Sequence, residues 1–212
     1  SEDTALVGAP YDAIGANTAQ GSAYVFIRNG TTWKQQMKLT ALDGAANDWF
    51  GDSVALSNNM ALVGAPYSSV GSKTAQGSVY VFLHNGTTWT QQMKFTALDG
   101  ASDSNFGTSI AVDGDIALIG ANNSAYVFVH SGTTWSQEDK LVQVDGQSHY
   151  GFGHSVALSG NTALVGAGSD DIGKNMGQGS AYVFVRSGNK WTQQIKLVAS
   201  DGAEYDYFGS SV

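Results

Sequence analysis

The chain repeats one stretch, Phe50-Gly51-Asp52-Ser53-Val54-Ala55-Leu56 followed by Met60-Ala61-Leu62-Val63-Gly64-Ala65-Pro66, and this repetition decides the fold. The Phe-Gly pair recurs in steps of 56, 46 and 56 residues, at Phe50, Phe106, Phe152 and Phe208. The Gly-Ala pair recurs in step with it, at Gly8, Gly64, Gly120 and Gly166. Self-similarity at a fixed period of this size is typical of solenoids, propellers and other arrays of small units.

The composition favours an all-β protein and narrows the classes of partner. The 212 residues include 27 Gly and only 2 Pro, which suits many short strands joined by glycine turns. The formal net charge is −8, so the surface repels the phosphates of nucleic acids and anionic lipids. No apolar run approaches the roughly 20 residues of a membrane span. We therefore expect no nucleic-acid partner and no membrane insertion.

The second repeat predicts four antiparallel strands, over residues 53–56, 61–65, 78–83 and 88–98. Asn58-Asn59 and Asn85-Gly86 are the residues that tight hairpin turns require. The run 79–83 is apolar without alternation, which predicts burial on both faces of its sheet. The fourth strand is polar and contains Lys94, whose equivalents are Lys38, Lys140 and Lys196. We interpret these lysines as guards of an outer strand edge.

The repeats predict a β-propeller of four antiparallel four-stranded blades in a single domain, 1–212. The chain opens on a second strand and closes on a first strand, Phe208 to Val212, so we expect the terminal strands to pair and close the ring. The blades then comprise residues 1–49 with 208–212, 50–105, 106–151 and 152–207. A segment of a longer propeller would show the same ends and stays an alternative.

The motifs Phe-Gly-x-Ser-Val-Ala-Leu, Ala-Leu-Val-Gly-Ala-Pro and Gly-Ser-x-Tyr-Val-Phe resemble the FG-GAP repeat of integrin α-subunit propellers and their bacterial relatives. The third repeat departs from the pattern, because its loop after Gly120-Ala121 is shortened. The resemblance implies a β-propeller, usually extracellular, that serves adhesion or ligand recognition and binds calcium in some blades. The turns at 56–59, 112–115 and 158–161 are too short and too poor in carboxylates to supply the six to eight oxygens of that calcium site.

Loops that differ between repeats are the places to look for a binding site on a repeated scaffold. Aromatic residues beside carboxylates can stack on a sugar face and bond its hydroxyls, or they can simply pack between blades. Adjacent aspartates in a loop are the best candidates for a cation. The candidate ligand-binding residues are Trp49, Asp48, Tyr207, Asp206, Tyr11 and Tyr67, and the candidate metal ligands are Asp170, Asp171 and Asp12.

These features predict a non-enzymatic, extracellular binding or adhesion module with a protein or glycan ligand. The chain has no cysteine and no glycine-rich phosphate loop between a strand and a helix, so no catalytic residues are assigned. Calcium is the one cofactor that the resemblance suggests. Two alternatives stay open: a carbohydrate-binding lectin, and a structural scaffold within a larger surface protein. The sequence also leaves open whether the protein forms a homodimer or belongs to a longer chain.

Overall fold

A computed structural model describes residues 3–144 and 151–212 of the chain. These residues form strands and turns, and they contain no helix long and apolar enough to cross a membrane. The chain divides into two compact units, Ser1–Thr108 and Ser109–Val212, and each unit holds two antiparallel sheets. The predicted all-β class is therefore confirmed, whereas the repeat boundaries given above stay predictions.

The first unit contains a three-stranded and a four-stranded sheet, both ordered as simple meanders. The first sheet consists of β1 (Thr4–Ala9), β2 (Ser22–Asn29) and β3 (Thr32–Leu39). The second consists of β4 (Val54–Ser57), β5 (Met60–Ala65), β6 (Ser78–His84) and β7 (Trp89–Phe95). The predicted turns are present: Asn58 has a φ of 52°, and Asn85 N–H donates to the Thr88 carbonyl at 3.1 Å.

The second unit contains two four-stranded meanders. One consists of β8 (Ser109–Asp113), β9 (Ile116–Ala121), β10 (Ser124–Ser131) and β11 (Thr134–Leu141). The other consists of β12 (Phe152–Ser159), β13 (Thr162–Ala167), β14 (Ser180–Ser187) and β15 (Lys190–Leu197). The predicted four-strand order thus holds for three of the four sheets.

The first sheet has no fourth strand from its own unit, and closure of a ring by paired terminal strands stays a prediction, because the two ends of the chain belong to different units. The sheet has only β1, β2 and β3, and residues 209–212 have no strand conformation. Phe208 N–H donates to the Gln178 carbonyl at 2.9 Å, as Phe50 N–H does to the Gln20 carbonyl at 2.9 Å. Ser210 N–H then turns back onto the Tyr207 carbonyl at 3.0 Å.

Each unit has its apolar core between its two sheets. In the first unit, Phe50 and Tyr80 are fully buried with ring centroids 5.3 Å apart. In the second, Phe152 and Tyr182 make the same edge-to-face contact, also at 5.3 Å. The phenylalanine of each Phe-Gly pair in these contacts is therefore a core residue, and its burial anchors the loop that leads into it.

A bulge recurs between the last two strands of each sheet, and in two of the sheets it turns one polar side chain toward the neighbouring sheet of the same unit. In the first unit that side chain is Gln36, whose Oε1 accepts from Trp89 Nε1 at 3.1 Å. In the second unit it is Glu138, which accepts from Trp191 Nε1 at 3.2 Å and binds the Arg186 guanidinium at 2.6 and 2.8 Å. The bulges thus cross-link neighbouring sheets.

The Phe-Gly of one repeat packs directly on the Gly-Ala of the repeat before it. A Cβ added to Gly64 would overlap the carbonyl oxygen of Gly107, and one added to Gly166 would overlap that of Gly209. Ser53 Oγ donates to the same Gly107 carbonyl at 2.6 Å. The backbones approach so closely that only glycine fits, which explains why both motifs of the repeat contain it.

We expect Gly64→Ala to lower the free energy of unfolding by about 2–3 kcal/mol, because the added methyl forces two backbones apart. Gly71→Ala is the matched control, since nothing lies within 4 Å of a Cβ there and only its φ of 61° opposes the change. That control should cost about 1 kcal/mol. Urea unfolding measures both, and equal losses would contradict the close-packing account.

Candidate functional site

The residues before Phe50, Phe106 and Phe208 form a turn that is held by a side chain of the turn itself. The bonds are Ala45 N–Asp48 Oδ2 at 2.7 Å, Ala101 N–Ser104 Oγ at 2.9 Å and Ala203 N–Asp206 Oδ2 at 2.7 Å. Asp48 and Asp206, predicted as ligand-binding residues, therefore each use one oxygen to hold their own turn. Because Ser104 does the same in the second repeat, this turn does not require a charge.

The last residue of this turn has a left-handed backbone in three repeats. Its φ is 56° at Trp49, 49° at Asn105 and 53° at Tyr207. Asparagine tolerates this conformation, whereas a bulky residue carries a strain of about 1–2 kcal/mol. Hydrogen bonds impose the conformation on Trp49, since its N–H donates to the Ala19 carbonyl at 3.2 Å and the following Phe50 is locked in the core.

Tyr11, Trp49 and Tyr67 form one aromatic cluster on the first unit, called here the aromatic surface. The Trp49 ring lies 5.0 Å from Tyr11 and 4.3 Å from Tyr67 between centroids, with edge-to-face geometry in both pairs. Tyr11 remains 69 % exposed and Tyr67 42 % exposed. The structure thus brings together three of the predicted ligand-binding residues, from two different loops and the turn between them.

An open cleft of about 400 Å³, called here the Tyr67 cleft, adjoins this surface within the first unit. Tyr67 belongs to both, and Asp48 forms part of the wall. The remaining lining residues are Asp43, Ala45, Ala46, Asn47, Ser69, Thr74, Ala75 and Lys94. The cleft therefore combines an aromatic ring with hydroxyl, amide, carboxylate and ammonium groups.

Two carboxyl groups of the cleft differ in their electrostatic surroundings. Burial opposes ionisation of Asp43, but its 2.8 Å bond with Lys94 Nζ outweighs burial and lowers the pKa of Asp43. Burial raises the pKa of Asp48, although its bond from the Ala45 N–H acts in the opposite direction. The Lys94 ammonium also lies 5.1 Å from the Tyr80 ring centroid, over its face. The cleft thus holds the Lys94–Asp43 ion pair beside Asp48, a carboxyl group whose pKa is raised.

Asp12 and Asp170 bind lysines rather than standing free in their loops. Asp12 Oδ2 accepts from Ser22 Oγ, Tyr24 OH and Lys38 Nζ at 2.6, 3.0 and 2.6 Å. Asp170 Oδ2 accepts from Ser180 Oγ, Tyr182 OH and Lys196 Nζ at 2.5, 3.3 and 2.8 Å. Lys38, Lys94 and Lys196 are therefore ion-pair partners, and their role as edge guards stays an interpretation.

The predicted calcium ligands Asp170 and Asp171 already accept hydrogen bonds from other groups of the protein. A cation at Asp170 Oδ2 would have to displace the Lys196 ammonium, while Asp171 Oδ1 already accepts from the Gly177 N–H at 2.7 Å. Within residues 3–144 and 151–212, no three or more His, Cys, Asp or Glu side chains gather as a metal site. Calcium binding stays a prediction that this geometry does not favour.

Tyr207 and Asp206 lie in the second unit, and sequence reasoning missed Tyr205, the residue that Tyr207 contacts there. The Tyr207 ring pairs with Tyr205 at 6.3 Å, and Tyr205 is also left-handed, with a φ of 64°. Sequence reasoning likewise missed Asp43, Thr74 and Lys94 in the Tyr67 cleft. One signal was available: the second repeat has Ser68 where the first and fourth have Asp12 and Asp170, so Lys94 needed another partner.

We expect Asp12→Asn to destabilise the protein by about 1 kcal/mol at pH 7, because the pair with Lys38 is partly exposed. The hydrogen bond from Lys38, followed by that from Ser22, lowers the pKa of Asp12 from 3.8 to about 2. The stabilisation is therefore complete above pH 3.8 and is lost as the pH falls through 2.

Urea unfolding of the wild type and the Asp12→Asn variant at pH 7, 4 and 2 measures this effect. The difference between the two proteins should persist at pH 4 and shrink at pH 2. A difference that is the same at all three pH values would contradict the ion pair.

Comparison with known proteins agrees with the repeated architecture. A family model described as FG-GAP repeat matches residues 33–82, 89–132, 135–184 and 191–212. Comparison with curated protein sequences gives no match. The four matched segments cover most of the chain and contain all four Phe-Gly pairs and three of the four Gly-Ala pairs. The chain belongs to the FG-GAP repeat family.

Proposed function

We propose that the protein is a non-enzymatic, extracellular binding or adhesion module whose ligand contacts the aromatic surface. The observation that carries this proposal is Trp49, which keeps a left-handed backbone while its ring joins two exposed tyrosines. Large aromatic side chains with accessible faces are the residues that dominate binding energy at protein interfaces.

The backbone strain at Trp49 supports a functional role, because other repeats place residues with less strain at the equivalent position. The second repeat uses Asn105 there and the third uses Gly151, both of which adopt positive φ more readily. Strained backbone that persists despite such alternatives is typical of ligand-binding and active sites. Trp49 is therefore better explained by what its ring contacts than by what the turn needs.

The extracellular part of the proposal rests on the family. FG-GAP repeats are typical of β-propellers in surface proteins, and we take the sheets of this chain to be blades of such a propeller. A non-enzymatic role agrees with the bonding of the two carboxyl groups in the cleft. Asp48 holds its own turn and Asp43 is paired with Lys94, so neither is presented as a free acid or base.

Carbohydrate binding is a second candidate function, favoured by the position of the Tyr67 cleft. The cleft places hydrogen-bonding side chains next to an exposed aromatic ring. Sugars present an apolar C–H face and a rim of hydroxyl groups, so they need both kinds of contact. A protein ligand would instead spread over Tyr11 and Trp49.

We expect Trp49→Asn to abolish ligand binding while leaving the protein folded. Asparagine occurs at this position in the second repeat, and relief of backbone strain offsets the lost ring contacts, so the free energy of unfolding should change by less than about 1 kcal/mol. The measurement is binding to an array that carries glycans and purified extracellular-matrix proteins.

Trp33→Asn is the matched control, because Trp33 is also half exposed, at 48 %, but lies outside the aromatic surface. The proposal predicts at least one array partner that is lost in the first variant and kept in the second. An array without partners for the wild type, or partners that both variants retain, would contradict it.

A further inference from the structure

The Tyr67 cleft has an unusual cation because one residue of the second repeat differs from its equivalents. In the first and fourth repeats, the lysine of the outer strand binds an aspartate from the long loop of its own repeat. In the second repeat this aspartate is replaced by Ser68, whose hydroxyl donates a hydrogen bond to Ser78 Oγ at 2.7 Å. Lys94 instead crosses to Asp43 of the preceding repeat, and this brings its ammonium to the wall of the cleft.

The lining of the cleft mixes donors and acceptors in one small space. Lys94 offers only N–H donors, whereas the carboxylate of Asp43 offers only acceptors. Ser69 and Thr74 carry hydroxyls that do both, and Asn47 contributes an amide. A metal ion would need acceptors alone and an anion donors alone. A ligand whose own groups both donate and accept matches this set, and hydroxyl groups have that property.

The electrostatics point in the same direction. Lys94 and Asp43 neutralise one another at 2.8 Å, and Asp48 is only 7 % exposed with one oxygen bonded to the Ala45 N–H, so the cleft presents no isolated exposed charge to a ligand. The volume of about 400 Å³ lies toward the lower end of ligand pockets, which suits one or two sugar rings rather than a long chain. Tyr67 provides an exposed ring on which an apolar C–H face can stack.

We propose that the Tyr67 cleft is a subsite for a neutral sugar ring at the end of a glycan. Tyr67 stacks on the ring, Lys94 and Thr74 donate to its hydroxyls, and Asp43 accepts from them. Trp49 and Tyr11 extend the apolar contact beyond the cleft toward the next part of the ligand. The inference rests on the proposed binding function and specifies its ligand class.

Saturation-transfer NMR with neutral hexoses and N-acetylhexosamines at about 10 mM tests the subsite, because single sugars commonly bind in the millimolar range. Glucuronate and glucosamine, which carry a charge, serve as comparison ligands. We expect transfer to at least one neutral sugar and none to the charged ones. Lys94→Met and Thr74→Val should each weaken the neutral sugar about tenfold, since each removes one hydrogen bond to the ligand.

Lys34→Met is the matched control, because Lys34 is an exposed lysine on β3 that does not line the cleft. It should leave the transfer unchanged. Thr74→Val guards against the case in which loss of the Lys94–Asp43 pair unfolds the first variant. The inference is overturned by wild-type protein that binds no neutral sugar, by preferential binding of a charged one, or by transfer that persists in both cleft variants.

Failure here is distinguishable from failure of the proposed function. If neutral sugars do not bind but Trp49→Asn still loses a matrix protein on the array, the aromatic surface binds protein and only the sugar subsite is wrong. If neither sugars nor array partners bind the wild type, both proposals fail.

Discussion

The close contact between Gly64 and Gly107 is the constraint on which the repeated structure depends. At this contact, and at its equivalents, the backbone of one Phe-Gly lies against the Gly-Ala strand of the repeat before it, with no space for a side chain. The adjacent phenylalanine is buried in the core at Phe50, Phe106 and Phe152. Backbone contact and core burial together fix where each repeat enters the next, so the geometry of the preceding turn follows from the fold rather than from its own sequence.

That fixed entry explains how a variable turn can present a binding residue. The position before Phe-Gly is left-handed at Trp49, Asn105 and Tyr207, because the N–H of each donates to a carbonyl of an earlier loop. The buried phenylalanine that follows Trp49 and Asn105 adds to this constraint. The scaffold therefore tolerates side chains that would not choose this conformation by themselves. In the first unit this freedom holds Trp49 between Tyr11 and Tyr67 beside a polar cleft.

Much of the fold could be predicted from the sequence, because the period, the Asn-Gly type turns and the apolar runs all respond to local chemistry. Variation between repeats also points to the turn before Phe-Gly and to the loop after Gly-Ala, and three aromatic candidates from these places, Tyr11, Trp49 and Tyr67, do meet. The partners of Lys38 and Lys196 could not be predicted, since they depend on how a loop folds over its own sheet, and the partner of Lys94 lies in the preceding repeat. The same holds for the cleft, which joins residues of two repeats.

The central claim is that ligands bind where Trp49 joins the two tyrosines, and the indole N–H signals of the five tryptophans test it most directly. These signals can be followed by two-dimensional ¹H–¹⁵N NMR while the neutral hexoses, or a matrix protein retained on the array, are added. The account predicts that the Trp49 signal shifts or broadens while that of the half-exposed Trp33 stays in place. Binding that leaves Trp49 unchanged and moves Trp33 or a buried indole would contradict it.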